Sequence, residues 1–323
     1  MGMRISNKEL KAFLAQLDGI IEVYKELHGG EEKRDWRTYE QRLALRIQTA
    51  AKNLAPLLKE AAIGVAHGRG NRHRLPPEQR ALLVLLQRLF KLSNRNMASM
   101  LAFFSALSGV SVSYKTVERA YSDEATCLVL RNLFVLLLRK KGVRTAHASG
   151  DGTGYGLRVT EHYRTNPAKR NTKHKAYRYA FALMDLDTGM YVAYGTGVRS
   201  EHEAFHAAMA LLARTGVALD SVRLDKYYSS RRKLGAFEGT VRAYLIPKKN
   251  ATIKGSLRWK RMLRDLLDEP FSYLEQYFLR NNSESGFSTD KRLCGWTVAQ
   301  RREDRVETAL FCTGVWHNLM RLG

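Results

Sequence analysis

Between residues 277 and 291 the chain reads YFLRNNSESGFSTDK, which sets one carboxylate, Glu284, between two cations, Arg280 and Lys291. At about 100° per helical residue, Tyr277, Arg280, Glu284 and Lys291 fall at roughly 0°, 300°, 340° and 320°, a stripe about 60° wide. On a helix the four side chains share one face, while Phe278 and Phe287 lie off it, so the core does not claim that stripe. Such a face is either a solvated lattice of ion pairs or an acid placed beside phosphate-holding cations. Two more carboxylates end apolar, strand-like runs: Asp151 after TAHASG and Asp225 after LDSVRL.

Composition narrows the chemistry. The 323 residues are 45% hydrophobic, enough to bury a sizeable core. The longest uninterrupted aliphatic or aromatic run is Leu133–Leu138, far below the ~18 residues of a membrane span. The amino-terminal MGMRISNKEL lacks the apolar stretch of a secretory signal, so a cytoplasmic location is expected and no membrane partner. Cys127, Cys294 and Cys312 are odd in number and widely spaced, which suggests neither a disulfide framework nor a cysteine-based zinc site. The formal charge is +23, with a pI near 10.1, and a surface that basic attracts polyanions. Residues 1–145 hold 25 Lys+Arg against 13 Asp+Glu, and the remainder 29 against 18, so both halves are expected to meet the polyanion, for which nucleic acid is the natural candidate.

The elements that must position the carboxylates can be read in order. Residues 8–28 and 33–62 carry helical periodicity, with Leu10, Phe13, Leu14, Leu17 and Ile21 on one stripe, and read as a hairpin broken at His28-Gly29-Gly30. Residues 1–70 thus form a helical region, either a dimerisation arm or a packing layer. HGRGNRHR, 67–74, reads as a basic linker. Three helical segments follow from Pro76, the second capped by Ser93 and the third by Ser113. Joined by a tight turn, with Lys115 and Arg119 exposed on the third, they suggest a helix-turn-helix over 71–124 that reads DNA. Residues 125–144 form a strongly apolar linking helix.

After Gly142 the pattern becomes β. A first strand ends at Asp151 and a glycine-rich turn. A hairpin is centred on Asp187-Thr188-Gly189; then come a helix, a fourth strand ending before Asp225, a short helix, a fifth strand and late helices from Leu257. This order resembles the ribonuclease H-like fold, an α/β architecture with a five-stranded mixed sheet flanked by helices. In that fold, acids after the first and fourth strands and on a late helix converge at one edge. Residues 145–323 would form this catalytic domain, with Asp151, Asp225 and Glu284 in those places.

The chain also resembles DDE transposases of prokaryotic insertion sequences, in the group whose third acid lies in a Y-x2-R-x3-E-x6-K signature. Tyr277, Arg280, Glu284 and Lys291 match it at every position, and the terminal VETALFCTGVWHNLMRL resembles the closing helix of such proteins. The resemblance covers about residues 76–323. It departs at Asp225-Lys226-Tyr227-Tyr228, where relatives often carry Asp-Lys-Gly-Tyr, and the short interval from Asp225 to Glu284 leaves little room for a large β insertion.

The resemblance implies cleavage and strand transfer of DNA by in-line displacement at phosphorus. Two Mg2+ ions, with Mn2+ a possible substitute, would be held by Asp151 between them and by Asp225 and Glu284 on either side. Arg280 and Lys291 would hold donor-strand phosphates, and Tyr277 would orient one or stack on a base. Further DNA contacts are expected from the acid-free segment 164–178, with Lys169, Arg170, Lys173 and Lys175, and from 247–261, where Trp259 either packs in the core or holds a flipped base. Asp185 and Asp187 read as turn residues, Asp220 as a cap or turn, and His202 with His206 as a helix surface. The implied partners are terminal inverted repeats, target DNA and a second copy of the chain as a homodimer on DNA. A nuclease of the same fold that cuts without rejoining, and a transposase-derived DNA-binding regulator, are the competing readings.

Overall fold

The computed structural model describes residues 5–29, 35–66, 75–105, 111–158, 177–237 and 239–322. The basic stretch 67–74 lies outside them, as do Lys169, Arg170, Lys173 and Lys175.

The amino-terminal part is helical. Helices α1 (Asn7–His28), α2 (Trp36–Ala61), α3 (Pro77–Leu89), α4 (Asn94–Phe103), α5 (Tyr114–Ala120) and α6 (Glu124–Lys141) succeed one another. Their starts are written in capping residues: Ser6, Asp35, Ser93, Ser113 and Asp123 each accept a backbone N–H of the first turn. Helix α6 stops at Gly142, which takes φ 78°, a left-handed conformation that costs glycine nothing.

The sheet follows. Strands β1 (Thr145–Leu157), β2 (Tyr177–Asp185) and β3 (Tyr191–Gly197) form an antiparallel meander. Helix α7 (Glu201–Thr215) crosses over to β4 (Ala218–Leu224), which pairs parallel with β1. A 3-10 turn (Lys226–Tyr228) and α8 (Arg231–Leu234) lead to β5 (Arg242–Tyr244), parallel to β4. The order is β3-β2-β1-β4-β5. Helices α9 (Leu257–Asp268), α10 (Pro270–Phe278) and α11 (Asn281–Cys294) come next, then β6 (Thr297–Val298), paired parallel with the end of β1, and α12 (Glu303–Leu319).

Helices cover both faces of the sheet. At Gly195 a Cβ would run into the backbone of α7 at Ala204 and Ala208, so glycine permits the close approach. The adjacent Tyr194 points the other way, as alternation along a strand requires, and packs against Gly314 of α12. Helix α12 is buried along nearly its whole length. It is tied to α3, where the buried Arg88 donates to the Thr313 hydroxyl (2.9 Å) and the Thr297 carbonyl (2.9 Å), and the Trp316 indole donates to the Leu85 carbonyl (2.8 Å).

Several expectations change. β1 does not end at Asp151 but runs on through Gly152, Gly154 and Gly156, because β2 pairs with it as far as Gly156 and supplies the ladder that isolated glycines could not sustain. Short β6 extends the predicted five strands. Asp220 is a strand residue rather than a cap, 3.3 Å from His147. The two helices of the predicted hairpin, α1 and α2, pack on different elements. α1 lies against α10, with Tyr24 stacked on Phe278 at 5.2 Å, while α2 lies against α3 and α6. Of the residues between α4 and α5, 106–110 lie outside the described residues. A small separate core of Leu75, Leu83, Met97 and Val117 nevertheless joins α3, α4 and α5.

Candidate active site

The parallel ladder pairs Gly150 of β1 with Leu224 of β4. Asp151 follows Gly150 on β1 and Asp225 follows the end of β4, so in-register pairing brings two acid-bearing backbone positions, over seventy residues apart in sequence, to the same edge of the sheet. Asp225 then caps the 3-10 turn, its carboxylate accepting from Tyr227 N. A third attachment comes from Ser149, which donates to the Arg280 carbonyl (2.9 Å) and lies 3.1 Å from the Ser283 hydroxyl. Ser149 therefore fixes the start of α11, and with it Glu284, to the strand that carries Asp151.

The four signature residues do not sit on one helix. α10 ends at Phe278 and α11 begins at Asn281, yet Leu279 and Arg280 between them keep right-handed helical dihedrals, so the facing survives the break. Arg280 stands between two acids, 2.7 Å from the Glu284 Oε1 and 3.9 Å from the Asp225 Oδ1. Its guanidinium lies 5.6 Å from the centre of the Tyr277 ring. That ring is only 5% exposed, so Tyr277 supports Arg280 from beneath instead of offering a stacking face. Lys291 reaches back to β1, donating to the Thr153 hydroxyl at 2.6 Å, two residues beyond Asp151.

Asp151 is the electrostatic centre. Burial pushes its carboxyl from the ordinary 3.8 up to about 6; Glu284 and Glu201 push the same way, while a hydrogen bond from Gly152 N–H and the Arg280 charge oppose them. Burial lowers the Lys291 ammonium below its usual range, with Asp151 acting against that. Among the described residues, no three acidic, histidine or cysteine side chains are grouped closely enough to hold a metal ion, and Arg280 occupies the interval between Asp225 and Glu284.

Other expected contacts part company. Trp259 is core: it is 3% exposed and its indole donates to the Thr252 carbonyl at 2.8 Å, so no face is free for a base. Lys115 is exposed on α5 but paired with Glu118 at 3.0 Å, and the same glutamate is bound by Arg305 of α12. Arg119 is exposed on the same helix. Asp185 spends its carboxylate on the hairpin, accepting from Thr188 N, the Thr188 hydroxyl and His147 N.

Two residues escaped sequence reasoning. Trp296 is 62% exposed, with the Lys291 ammonium 4.9 Å from its ring. Together with Lys91, Arg158 and Arg292 it lines a cleft of about 290 Å³. The helix-ending Gly295 before it was the available signal, since an aromatic just past a helix stop is poorly placed to enter that helix's own packing face. Glu201 opens α7 and reads in the sequence as an ordinary first-turn acid.

No family model matches the chain, and no solved structure matches it significantly. A curated relative from Archaeoglobus fulgidus, described as "Probable transposase for insertion sequence element ISA1214", is 42% identical over 321 residues, which covers 99% of this chain and 97% of the relative.

Proposed function

This chain belongs to the family of insertion-sequence transposases, and from that membership we propose that it binds the terminal inverted repeats of its element, cuts the DNA there and joins the cut ends to target DNA. In this reading residues 145–323 form a ribonuclease H-like catalytic unit, the helices within 71–124 read the repeat as a helix-turn-helix, and 125–144 link the two. The observation that carries it is the convergence at β1: Asp151 and Asp225 brought to the same sheet edge through strand register, with Glu284 held to the same strand through Ser149.

The donor types suit a divalent cation, but as the three acids stand they are not grouped closely enough to share one, and Arg280 would have to leave the interval between Asp225 and Glu284. All three residues offer hard carboxylate oxygens, and the Asp151 carboxyl is raised to about 6 chiefly by burial, with Glu284 and Glu201 pushing the same way. Asp151, Asp225 and Glu284 would hold two Mg2+ ions, or Mn2+ in their place. Bound there, the ions would activate the attacking oxygen and stabilise the leaving one. Arg280, which now pairs with Glu284 and stands near Asp225, is positioned to turn toward a phosphate once those acids meet a cation. Lys291, tethered at Thr153, provides a second charge for the same strand of DNA. Transposition brings two ends together, so the working unit is a homodimer on DNA.

The test is an assay on duplexes bearing the element's ends, with target plasmid and Mg2+. Wild-type protein should release cut ends and join them to the plasmid; Glu284→Gln should bind the ends normally and cut them slower by about three orders of magnitude. Cutting without joining would make the protein a nuclease. Undiminished cutting by Glu284→Gln would return this residue to an exposed ion-pair face.

A further inference from the structure

Glu201 lies where three parts of the site meet. A Cβ built at Gly152 would overlap the Glu201 carboxylate, so this side chain rests directly on the β1 backbone one residue past Asp151. The same carboxylate accepts a hydrogen bond from the Tyr228 hydroxyl. Tyr228 is fully buried and closes the 3-10 turn that Asp225 caps. Its ring packs against Phe181 of β2 and Phe205 of α7, at centroid distances of 5.0 and 5.5 Å, and the Lys233 ammonium stands 4.4 Å from it. A carboxylate has about four acceptor positions, and the Tyr228 bond takes one of them.

We infer that Glu201 is a positioning residue of the active site: it braces the Asp225 turn against the Asp151 strand through Tyr228 and supplies a fourth negative charge that helps the site accept divalent cations. The inference rests on the metal-dependent reading above. It explains why residue 152 is glycine, since any side chain there would evict Glu201. It also gives the Asp-Lys-Tyr-Tyr turn a function, because the second tyrosine is the link between Asp225 and Glu201. Glu201 acts by placing and balancing the three carboxylates, not by touching the reacting atoms.

Mn2+ binding to the full-length protein, followed by electron paramagnetic resonance titration without DNA, tests this directly. Glu201→Gln keeps an oxygen for Tyr228 but loses the charge, and Tyr228→Phe keeps the charge but loses the tie. Each should weaken Mn2+ binding about tenfold, the size of effect usual for groups that orient metal ligands. The metal-free Glu201→Gln protein should melt no lower than wild type. Asp187→Asn, in the exposed hairpin turn, should bind Mn2+ within about twofold of wild type, as the control for a lost acid elsewhere. If Asp151→Asn abolishes Mn2+ binding while folded Glu201→Gln stays within about twofold of wild type, the metal site stands and the role of Glu201 is overturned. Unchanged binding in Tyr228→Phe would overturn the brace. Absence of Mn2+ binding by wild type would overturn the metal reading and this inference with it.

Discussion

Asp151 holds a charge in a place that does not favour it. Its folded carboxyl titrates near 6 against an ordinary 3.8, chiefly through burial. The folded state therefore keeps the proton more tightly than the unfolded chain does. In metal-free protein this lowers stability as pH rises from about 4 through about 6, a cost of up to about 3 kcal/mol that is complete at neutral pH. Asp151→Asn should thus raise the stability of the protein in chelator by about 1–3 kcal/mol at pH 7.5, with the gain fading toward pH 4. Urea unfolding at the two pH values measures it; an equal effect at both would mean that the charge is not its source. The contrast with Asp185 is instructive. Asp185 is more deeply buried, at 1% exposed, but its oxygens are spent on Thr188 and the His147 backbone, so it serves the hairpin and nothing else.

At the scale of elements, the closing helix α12 clamps the sheet. Asn318 is fully buried and forms a two-point bridge to one strand residue, accepting from Tyr191 N at 2.7 Å and donating to Tyr191 O at 2.9 Å. Its neighbour His317 lies 2.8 Å from Asp290 of α11, and the Tyr191 hydroxyl donates to the other Asp290 oxygen at 2.8 Å. The helix bearing Glu284 is thereby held to α12 and β3 as well as to β1. Asn318→Ala should cost roughly 2–4 kcal/mol, because it strands two buried backbone groups without partners. Chemical denaturation reads this, and a loss under about 1 kcal/mol would show that the strand edge finds other partners.

For the whole molecule, the charge of +23 is the dominant property, and among the described residues no helix is long and apolar enough to cross a membrane. Binding to DNA should weaken steeply as salt rises, through release of condensed counterions. Within that general attraction, Arg119→Ala should cost more than Lys115→Ala, since Lys115 already shares Glu118 with Arg305 whereas Arg119 is exposed on α5. A loss of about 1–3 kcal/mol on repeat DNA with little change on random DNA would mark a base contact, and an equal loss on both a phosphate contact. Competition binding at one fixed salt concentration separates the two. The full chain is the right reagent, because Arg88 and Trp316 tie α3 into α12 and an isolated helix trio would lose those partners.

What the sequence determined by itself was local or chemical in kind. Helix periodicity and capping residues marked the helices, the Asp187-Thr188-Gly189 turn marked its hairpin, and residue types at fixed spacing marked Asp225 and the stripe from Tyr277 to Lys291. Each is decided within a few residues of itself, where backbone propensity and side-chain chemistry act. Tertiary structure alone decided the rest. The arrival of Asp151 and Asp225 at the same sheet edge depends on a parallel ladder between distant segments, and the continuation of β1 through three glycines depends on β2. Whether Trp259 or Trp296 faces solvent depends on what packs over each, and the two have opposite fates for that reason. The place of Glu201 was invisible for the same cause: a first-turn glutamate comes against the backbone next to Asp151 only when the crossover helix that begins with it is laid against that strand.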